Sequence, residues 1–301
     1  MNVQSLSIAV PAGCPNKCRF CVSKMRDTKY ENLVWSNERK LYGGDKMRDR
    51  MAFARDNGCN TMLFTGEGEP MRNKHFIFEV MRINSELSSP FKWVEIQTSG
   101  YSLIQADADW MRSIGISTVS LSVSDIFDDT SNVDIMQSPS FFKAQDICDM
   151  IKNAGLNLRV SMNLTSTYNS LFPNKGELDC SNLIDAAVFK IFNRLKELKA
   201  DMVTFRKMYA YDDAHGEISE WIISHNFYDI HLQWLDNRIK RYGNKLERLP
   251  FGAVRYSFDG ISTVIDDDCM SQKTDDVLKY LILRPDGKLY TRWDDKGSLL
   301  F

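Results

Sequence analysis

Three cysteines near the start of the chain have a spacing that suits a metal cluster. Cys14, Cys18 and Cys21 form a C-x3-C-x2-C pattern directly after the first apolar run of the sequence. A structural zinc site needs four ligands, and the next cysteine, Cys59, is distant and has no neighbouring histidine. A 4Fe-4S cluster is held by thiolates, so three cysteines leave one iron without a protein ligand. An iron that is open in this way can bind a chelating small molecule.

The elements that must position this motif are predicted to be alternating strands and helices. Short apolar, β-branched runs predict buried strands at 6–10, 61–65, 93–98, 118–123, 158–164 and 202–205. Segments with helical periodicity lie between them at 36–57, 76–87, 106–114, 140–154 and 180–199. Parallel strands joined by helices form an open sheet or a barrel, and both place their chemistry at the carboxyl ends of the strands. We therefore expect the cysteines on that face.

The cysteine motif resembles the signature of the radical S-adenosylmethionine (radical SAM) enzymes, C-x3-C-x-aromatic-C, with Phe20 at the aromatic position. The resemblance implies an α/β fold, a partial (β/α)6 TIM barrel over residues 1–210, followed by an extension over 211–301 that caps the barrel. It implies that the three cysteines bind three irons of a 4Fe-4S cluster and that S-adenosylmethionine binds the fourth. One electron then cleaves S-adenosylmethionine to a 5'-deoxyadenosyl radical, which abstracts a hydrogen atom from a substrate.

A glycine-rich loop after the second predicted strand resembles another element of this family. The segment from Gly66 to Pro70 reads Gly-Glu-Gly-Glu-Pro and is similar to the family's Gly-Gly-Glu-Pro element, with Glu67 in place of one glycine. The resemblance implies that Gly66, Gly68 and Glu69 bind the methionine part of the cofactor. Glycine lets the backbone approach the ligand, and a carboxylate suits its ammonium group. A turn that is merely rich in glycine and proline is the alternative.

Single polar residues on the later strands are further cofactor candidates. Thr98 begins a Thr-Ser-Gly segment that is similar to the family's Thr-Asn-Gly element. Ser122, in preference to Ser124, corresponds to a serine that contacts the ribose and carboxylate of the cofactor in the enzymes that this chain resembles. Asn163 stands among apolar residues, where a buried amide must find partners, so a satisfied core asparagine is as good an interpretation as a ligand contact.

Cations and aromatic residues outside these loops are candidates for substrate binding. Arg206 and Lys207 end the sixth predicted strand, and Tyr290 and Arg292 belong to or follow a predicted hairpin at 280–290 that turns at Asp286-Gly287. An arginine presents a planar fork to carboxylate or phosphate. Solvated strand ends and amphipathic alternation explain the same residues without a function.

Composition restricts the kind of partner. Of the 301 residues, 38 are Lys or Arg and 40 are Asp or Glu, so the formal charge is −2 and extended nucleic acid is disfavoured. Seven cysteines, three of them clustered, and the absence of a long apolar run favour a reduced, cytoplasmic protein. The four remaining cysteines stand alone, so no auxiliary cluster is indicated. Separately, the residue pattern predicts a helix at 221–241.

The function expected from sequence is that of a radical SAM enzyme acting on a small polar or anionic molecule such as a nucleotide. Its expected partners are the small-molecule substrate and an electron donor such as flavodoxin or ferredoxin. No membrane is expected among them. Modification of a peptide in a natural-product pathway is the alternative within the enzymes. A non-catalytic iron-sulfur protein that carries electrons or senses iron is the alternative from another class.

Overall fold

A computed structural model describes residues 2–21, 44–66, 68–174, 180–208, 210, 216–249, 252–267, 277–293 and 296–301. Six strands alternate with helices in the first two thirds of this described chain. The strands are β1 (Asn2–Ala9), β2 (Thr61–Thr65), β3 (Trp93–Thr98), β4 (Thr118–Val123), β5 (Asn157–Leu164) and β6 (Met202–Lys207). The helices among them are α1 (Gly44–Asp56), α2 (Lys74–Glu86), α3 (Gln105–Ser113), α4 (Asp129–Met136), α5 (Ala144–Asn153) and α6 (Ser181–Glu197).

The last third adds two helices and five strands. They are α7 (Glu217–Ser224), α8 (Asp229–Tyr242), β7 (Asn244–Arg248), β8 (Val254–Phe258), β9 (Ile261–Asp266), β10 (Val277–Leu283) and β11 (Leu289–Tyr290). Short 3-10 turns occupy Pro70–Arg72, Ser166–Leu171 and Lys296–Ser298. None of the described helices has the length and hydropathy needed to cross a membrane.

All the described strands belong to one sheet, in the order β11-β10-β1-β2-β3-β4-β5-β6-β9-β8-β7. The pairings from β10 through β9 are parallel, and the antiparallel pairs lie only at the two ends. The Lys279 ammonium on β10 lies 3.0 Å from the Asp266 carboxylate on β9. Because six strands separate β10 from β9 in the sheet order, this contact requires the sheet to curl back on itself.

The two faces of the parallel strands differ in chemistry. Side chains such as Phe64, Ile96 and Phe205 are fully buried in the large apolar cluster that the helices cover. The opposite face carries Ser120, Ser161 and other polar or charged residues, because side chains alternate along a strand. We call this polar inner face the lumen.

The predicted α/β fold, a partial barrel, is confirmed, but several elements differ from the sequence expectation. The predicted helix at 140–154 is α5 alone, preceded by a separate α4. The predicted helix at 221–241 is two helices, and the chain between them pairs with the end of β5 through a bridge from Thr165 to Asn226. The predicted helix at 36–57 begins at Gly44 among the described residues, and its earlier part lies outside them.

The C-terminal segment does not simply cap the barrel as expected. β9 extends the sheet beside β6, and β10 extends it beside β1. The predicted hairpin with its turn at Asp286-Gly287 is present between β10 and β11, closed by a hydrogen bond from the Gly287 N–H to the Arg284 carbonyl. The boundary placed at residue 210 stays an expectation, since strands from both sides of it share one sheet.

Breaking the ion pair at the seam tests this arrangement. Asp266→Asn leaves the largely buried Lys279 ammonium without its carboxylate, so we expect a loss of about 2 kcal/mol in the free energy of unfolding. Urea unfolding monitored by circular dichroism measures this loss. Asp236→Asn, which removes a more exposed pair with Lys240 on α8, is the control and should change stability by about 0.5 kcal/mol or less. Equal effects of the two variants would contradict a seam between β9 and β10.

Candidate functional site

The cysteine motif lies on the loop that follows β1, at the carboxyl edge of the sheet. Cys14 is exposed and Cys18 and Cys21 are half-buried. A turn brings the Cys21 N–H to the Cys18 carbonyl at 3.3 Å. We call residues 10–21 the cysteine loop. All three thiols therefore belong to one short, locally ordered segment.

The C-terminal end of α4 holds the middle of the cysteine loop. The Lys17 N–H donates to the Gln137 carbonyl and the Arg19 N–H to the Ile135 carbonyl, each at 3.2 Å. These carbonyls belong to the last turn and cap of α4, where helix carbonyls lack intrahelical partners. The sequence pattern did not predict α4, so it did not predict this support either.

The loop from Gly66 to Pro70 packs directly against the cysteine loop. A Cβ on Gly68 would lie 1.8 Å from the Ala12 carbonyl oxygen, and a Cβ on Gly66 would lie 3.0 Å from the Val10 nitrogen. Gly66 also has a φ of 150°, which other residues rarely adopt. Glu67 lies outside the described residues. Both glycines are thus required by close packing of one loop on the other.

The Glu69 carboxylate is hydrogen-bonded by groups of the protein. It is 3% exposed, and each of its oxygens accepts two hydrogen bonds. The donors are the Met71 N–H (3.1 Å) and the Thr98 hydroxyl (2.7 Å) on one oxygen, and the Ser99 N–H (2.8 Å) and Ser99 hydroxyl (2.7 Å) on the other. Through these four bonds Glu69 and Thr98 position the loop against the end of β3. The contact of Glu69 with the cofactor's ammonium group stays an expectation.

The lumen beyond these loops is polar. Ser122 is half-exposed, whereas Ser124 is fully buried and accepts a hydrogen bond from the Asn163 amide at 3.4 Å. This difference supports the choice of Ser122 over Ser124 as the accessible serine. Asn163 is half-buried on the neighbouring strand. Its side chain therefore lies on the same face as Ser122.

The four candidate substrate residues do not come together. Arg206 lies beside Asn163 in the sheet register and faces the lumen, and its Nε is buried without a hydrogen-bond partner in the described chain. Lys207 faces the other way, and its ammonium lies 2.6 Å from the Asp229 carboxylate at the start of α8. This corrects the expectation that both cations form one clamp, because neighbouring strand residues point to opposite faces.

The two hairpin candidates also differ from each other. Tyr290 is buried against Ala9, Tyr280 and Ile282. Ala9 is the last residue of β1, the strand that leads into the cysteine loop. Arg292 is exposed after β11, and its contact with a substrate stays an expectation. Tyr290 instead lies under Arg284, whose guanidinium is 5.2 Å from the tyrosine ring centre and 3% exposed. The sequence analysis did not single out Arg284.

Two lumen charges were also missed. Arg159 on β5 donates to Glu95 on β3 at 2.9 Å and to the Thr204 hydroxyl on β6 at 3.3 Å. These contacts cross the lumen, since β4 separates β3 from β5 in the sheet. The single charged residue of each strand, Glu95 in β3 and Arg159 in β5, is the signal that would have indicated them.

Two of the other described cysteines, Cys59 and Cys148, are buried, unlike those of the motif. Burial raises the pKa of the Cys59 thiol and of the Cys148 thiol to about 12. Both thiols therefore stay protonated and serve as small apolar side chains, whereas a metal needs a thiolate. Cys269 lies outside the described residues. In the described part of the chain, no three His, Cys, Asp or Glu side chains converge closely enough to hold a single metal ion.

The cysteine loop supplies thiols, which as thiolates are the ligands of iron-sulfur clusters. Each iron of a 4Fe-4S cube takes its own thiolate, so the ligands lie farther apart than around one ion. Three thiols on one short loop, with a glycine loop packed against it, have the donor chemistry for such a cluster. The fold and this loop together define a parallel-stranded α/β protein with a cysteine site at its carboxyl edge.

The comparison with known families agrees with this class. The sequence profile described as "Radical SAM superfamily" matches residues 8–169, more than half of the chain, and the chain belongs to that family. Its cofactors are a 4Fe-4S cluster and S-adenosylmethionine, as family membership implies. No curated protein matches the sequence.

Solved structures share the fold at low sequence identity. SuiB from Streptococcus suis, bound to S-adenosylmethionine, is similar with a TM-score of 0.57 and 13% identity, over 98% of this chain and 61% of SuiB. Native anSMEcpe with bound AdoMet has a TM-score of 0.60 and 14% identity, over 99% of this chain and 77% of that protein. Coproporphyrinogen III oxidase (HemN) from Escherichia coli has a TM-score of 0.53 and 13% identity, over 80% of this chain and 52% of HemN. The chain thus spans about three fifths of the length of SuiB.

The contact between the glycine loop and the cysteine loop is testable. In Gly68→Ala the new methyl group collides with the Ala12 carbonyl, so the cysteine loop must move. We expect the iron content after anaerobic reconstitution to fall at least threefold. Gly13→Ala is the matched control on the cysteine loop, because a Cβ there meets no atom within 4 Å, and it should keep the wild-type iron content. Normal iron and S-adenosylmethionine binding in Gly68→Ala would contradict this packing.

Proposed function

We propose that this protein is a radical SAM enzyme in which Cys14, Cys18 and Cys21 hold the 4Fe-4S cluster. The observation that carries the proposal is the packing of the Gly66–Pro70 segment on the cysteine loop at the carboxyl edge of the parallel sheet. When bound, the cluster and S-adenosylmethionine supply a 5'-deoxyadenosyl radical that removes a hydrogen atom from the substrate. The protein must then hold one C–H bond in place and exclude water from the lumen.

Different residues of this chain bind the cofactor and position the loops around it. The glycine loop, through the backbone at Gly66 and Gly68, lies along the cofactor, and Glu69 and Thr98 fix its position. Phe20, Ser122 and Asn163 contact the cofactor from the cysteine loop and from the neighbouring strands. Ser122 and Asn163 suit this task because both are partly exposed on the lumen face.

We propose further that the substrate is small and polar or anionic, for example nucleotide-like. The charges of the described lumen support an anion. Arg159 is paired with Glu95, whereas Arg206 has no ion pair among the described residues. A guanidinium without an ion pair in a polar cavity suits a carboxylate or phosphate group. Tyr290 contributes to the wall of the cavity and Arg292 remains a candidate, whereas Lys207 faces α8 and is no longer one.

A peptide substrate is the second candidate. SuiB has been determined with its precursor peptide SuiA and anSMEcpe with peptides, and both share the fold of this chain. Because this likeness concerns the fold alone, it supports a peptide as a candidate substrate but does not assign one. The proposed setting is cytoplasmic, with flavodoxin or ferredoxin as the electron donor.

Loss of the three thiols tests the enzyme proposal. Reconstituted wild-type protein with dithionite and S-adenosylmethionine should yield 5'-deoxyadenosine and methionine, measured by liquid chromatography. Replacing Cys14, Cys18 and Cys21 together by Ala should abolish both the cluster absorbance and these products. Cys180→Ala, outside the motif, should retain both. An intact wild-type cluster that binds no S-adenosylmethionine would favour the electron-carrying or sensing alternative.

Neighbouring cations on opposite faces of β6 test the substrate proposal. A small-molecule cell extract is divided by anion exchange, and each fraction is assayed for stimulation of 5'-deoxyadenosine formation. We expect the retained, anionic fraction to stimulate wild type and Lys207→Gln but to stimulate Arg206→Gln at least tenfold less. Equal stimulation of the two variants would remove Arg206 from the substrate site. Stimulation only by a peptide fraction would support the peptide alternative instead.

A further inference from the structure

Two serines on the lumen face of the sheet are buried without hydrogen-bond partners. Ser120 on β4 is 1% exposed and Ser161 on β5 is 2% exposed, and neither hydroxyl has a partner within the described part of the chain. A buried hydroxyl of this kind costs free energy, because its bonds to water are lost and nothing in the protein replaces them. Native proteins keep few such groups, so two of them on one face of a sheet indicate a partner from outside the chain.

The two serines belong to a patch of small polar side chains. Ser161 lies beside Ser122 of β4 and Thr204 of β6 in the sheet register, and Ser120 lies two residues before Ser122. We call these four residues the hydroxyl patch. The interior of a full TIM barrel is filled by layers of bulky, branched side chains. Serine and threonine at four adjoining positions fill less of the lumen, so this part of it can accept a ligand group.

The charges beside the hydroxyl patch are balanced within the protein. Arg159 lies beside Ser120 in the sheet register, and its guanidinium donates to the buried Glu95 carboxylate at 2.9 Å. The same guanidinium donates to the Thr204 hydroxyl at 3.3 Å. A serine hydroxyl both donates and accepts a hydrogen bond. The patch therefore suits a neutral hydroxyl, carbonyl or amide group better than it suits a second anion.

The strand register sets the distance between the hydroxyl patch and Arg206. Arg206 lies beside Asn163, which follows Ser161 by two residues on β5. At about 3.3 Å per residue, these two levels of the lumen are about 7 Å apart. Ser120 lies beside Arg159, two residues before Ser161, so its level is about 7 Å deeper again. A small elongated molecule with one end at Arg206 therefore reaches both serines with its other end.

We infer that the hydroxyls of Ser120 and Ser161 bind the neutral, hydrogen-bonding end of a substrate whose anionic end lies at Arg206. The inference rests on the proposed function and narrows its substrate class. The substrate is an elongated molecule with a carboxylate or phosphate at one end and hydroxyl, carbonyl or amide groups at the other. Because Ser161 lies beside Ser122, a proposed cofactor contact, this binding mode holds the substrate next to the cofactor, as hydrogen abstraction requires.

Removal of each hydroxyl tests the inference on reconstituted protein through two measurements. The anionic fraction of the small-molecule extract is titrated, and 5'-deoxyadenosine formation gives the amount needed for half-maximal stimulation. This amount should rise about fivefold in Ser120→Ala and in Ser161→Ala, because each variant loses one hydrogen bond to the substrate. Without extract, the urea midpoint of unfolding of both variants should equal that of wild type or exceed it, because no unsatisfied hydroxyl remains at the changed position.

Thr263→Val is the matched control, because Thr263 is a fully buried strand residue on the outer face, beside Val203, and its hydroxyl donates to the Ile261 carbonyl at 3.0 Å. This variant should lower the urea midpoint and keep the wild-type response to the extract. A wild-type response in either serine variant would overturn the inference. So would a lower urea midpoint in them, because the hydroxyls would then bond within the protein or to ordered water only. Wild-type protein that no anionic fraction stimulates would refute the proposed substrate, and the inference with it.

Discussion

The structure of the site depends on the buried carboxylate of Glu69. A carboxylate that is removed from water without partners is strongly unfavourable, and here four donors compensate for the lost hydration. Three of the four donor groups lie on Thr98 and Ser99, so the loop after β2 is fixed to the end of β3. Because Gly68 of the same loop packs on Ala12, the cysteine loop is fixed in turn. One buried side chain thus connects the carboxyl ends of three neighbouring strands.

The lumen and the outer face of the sheet have opposite requirements. On the outer face, apolar side chains pack under the helices and supply the hydrophobic contribution to stability. On the inner face, polar side chains leave room for ligands, and their charges are balanced in pairs such as Arg159 with Glu95. Since strand residues alternate, a single strand serves both functions, and Arg206 and Lys207 show the consequence. Adjacent in sequence, they point to the lumen and to α8 respectively.

The C-terminal segment is an integral part of the sheet and of the site. β9 and β10 lie against β6 and β1, and their ion pair joins the two sides of the curved sheet. The same segment brings Trp221 to Phe20. A helix break between α7 and α8 makes this possible, because the intervening backbone bonds to the end of β5 rather than continuing the helix.

The sequence by itself determined the family, the alternation of strands and helices, and the glycine and cysteine loops. These features are local: a strand has a period of two, a helix has a period near 3.6, and the motif has fixed spacing. Tertiary structure alone decided which side chains meet. The bonds of Glu69 to Thr98 and Ser99, the contact of Trp221 with Phe20 and the pair between Lys279 and Asp266 join residues far apart in the chain. Their partners are set by how the sheet curls and where loops pack, and no local pattern in the sequence encodes such distances.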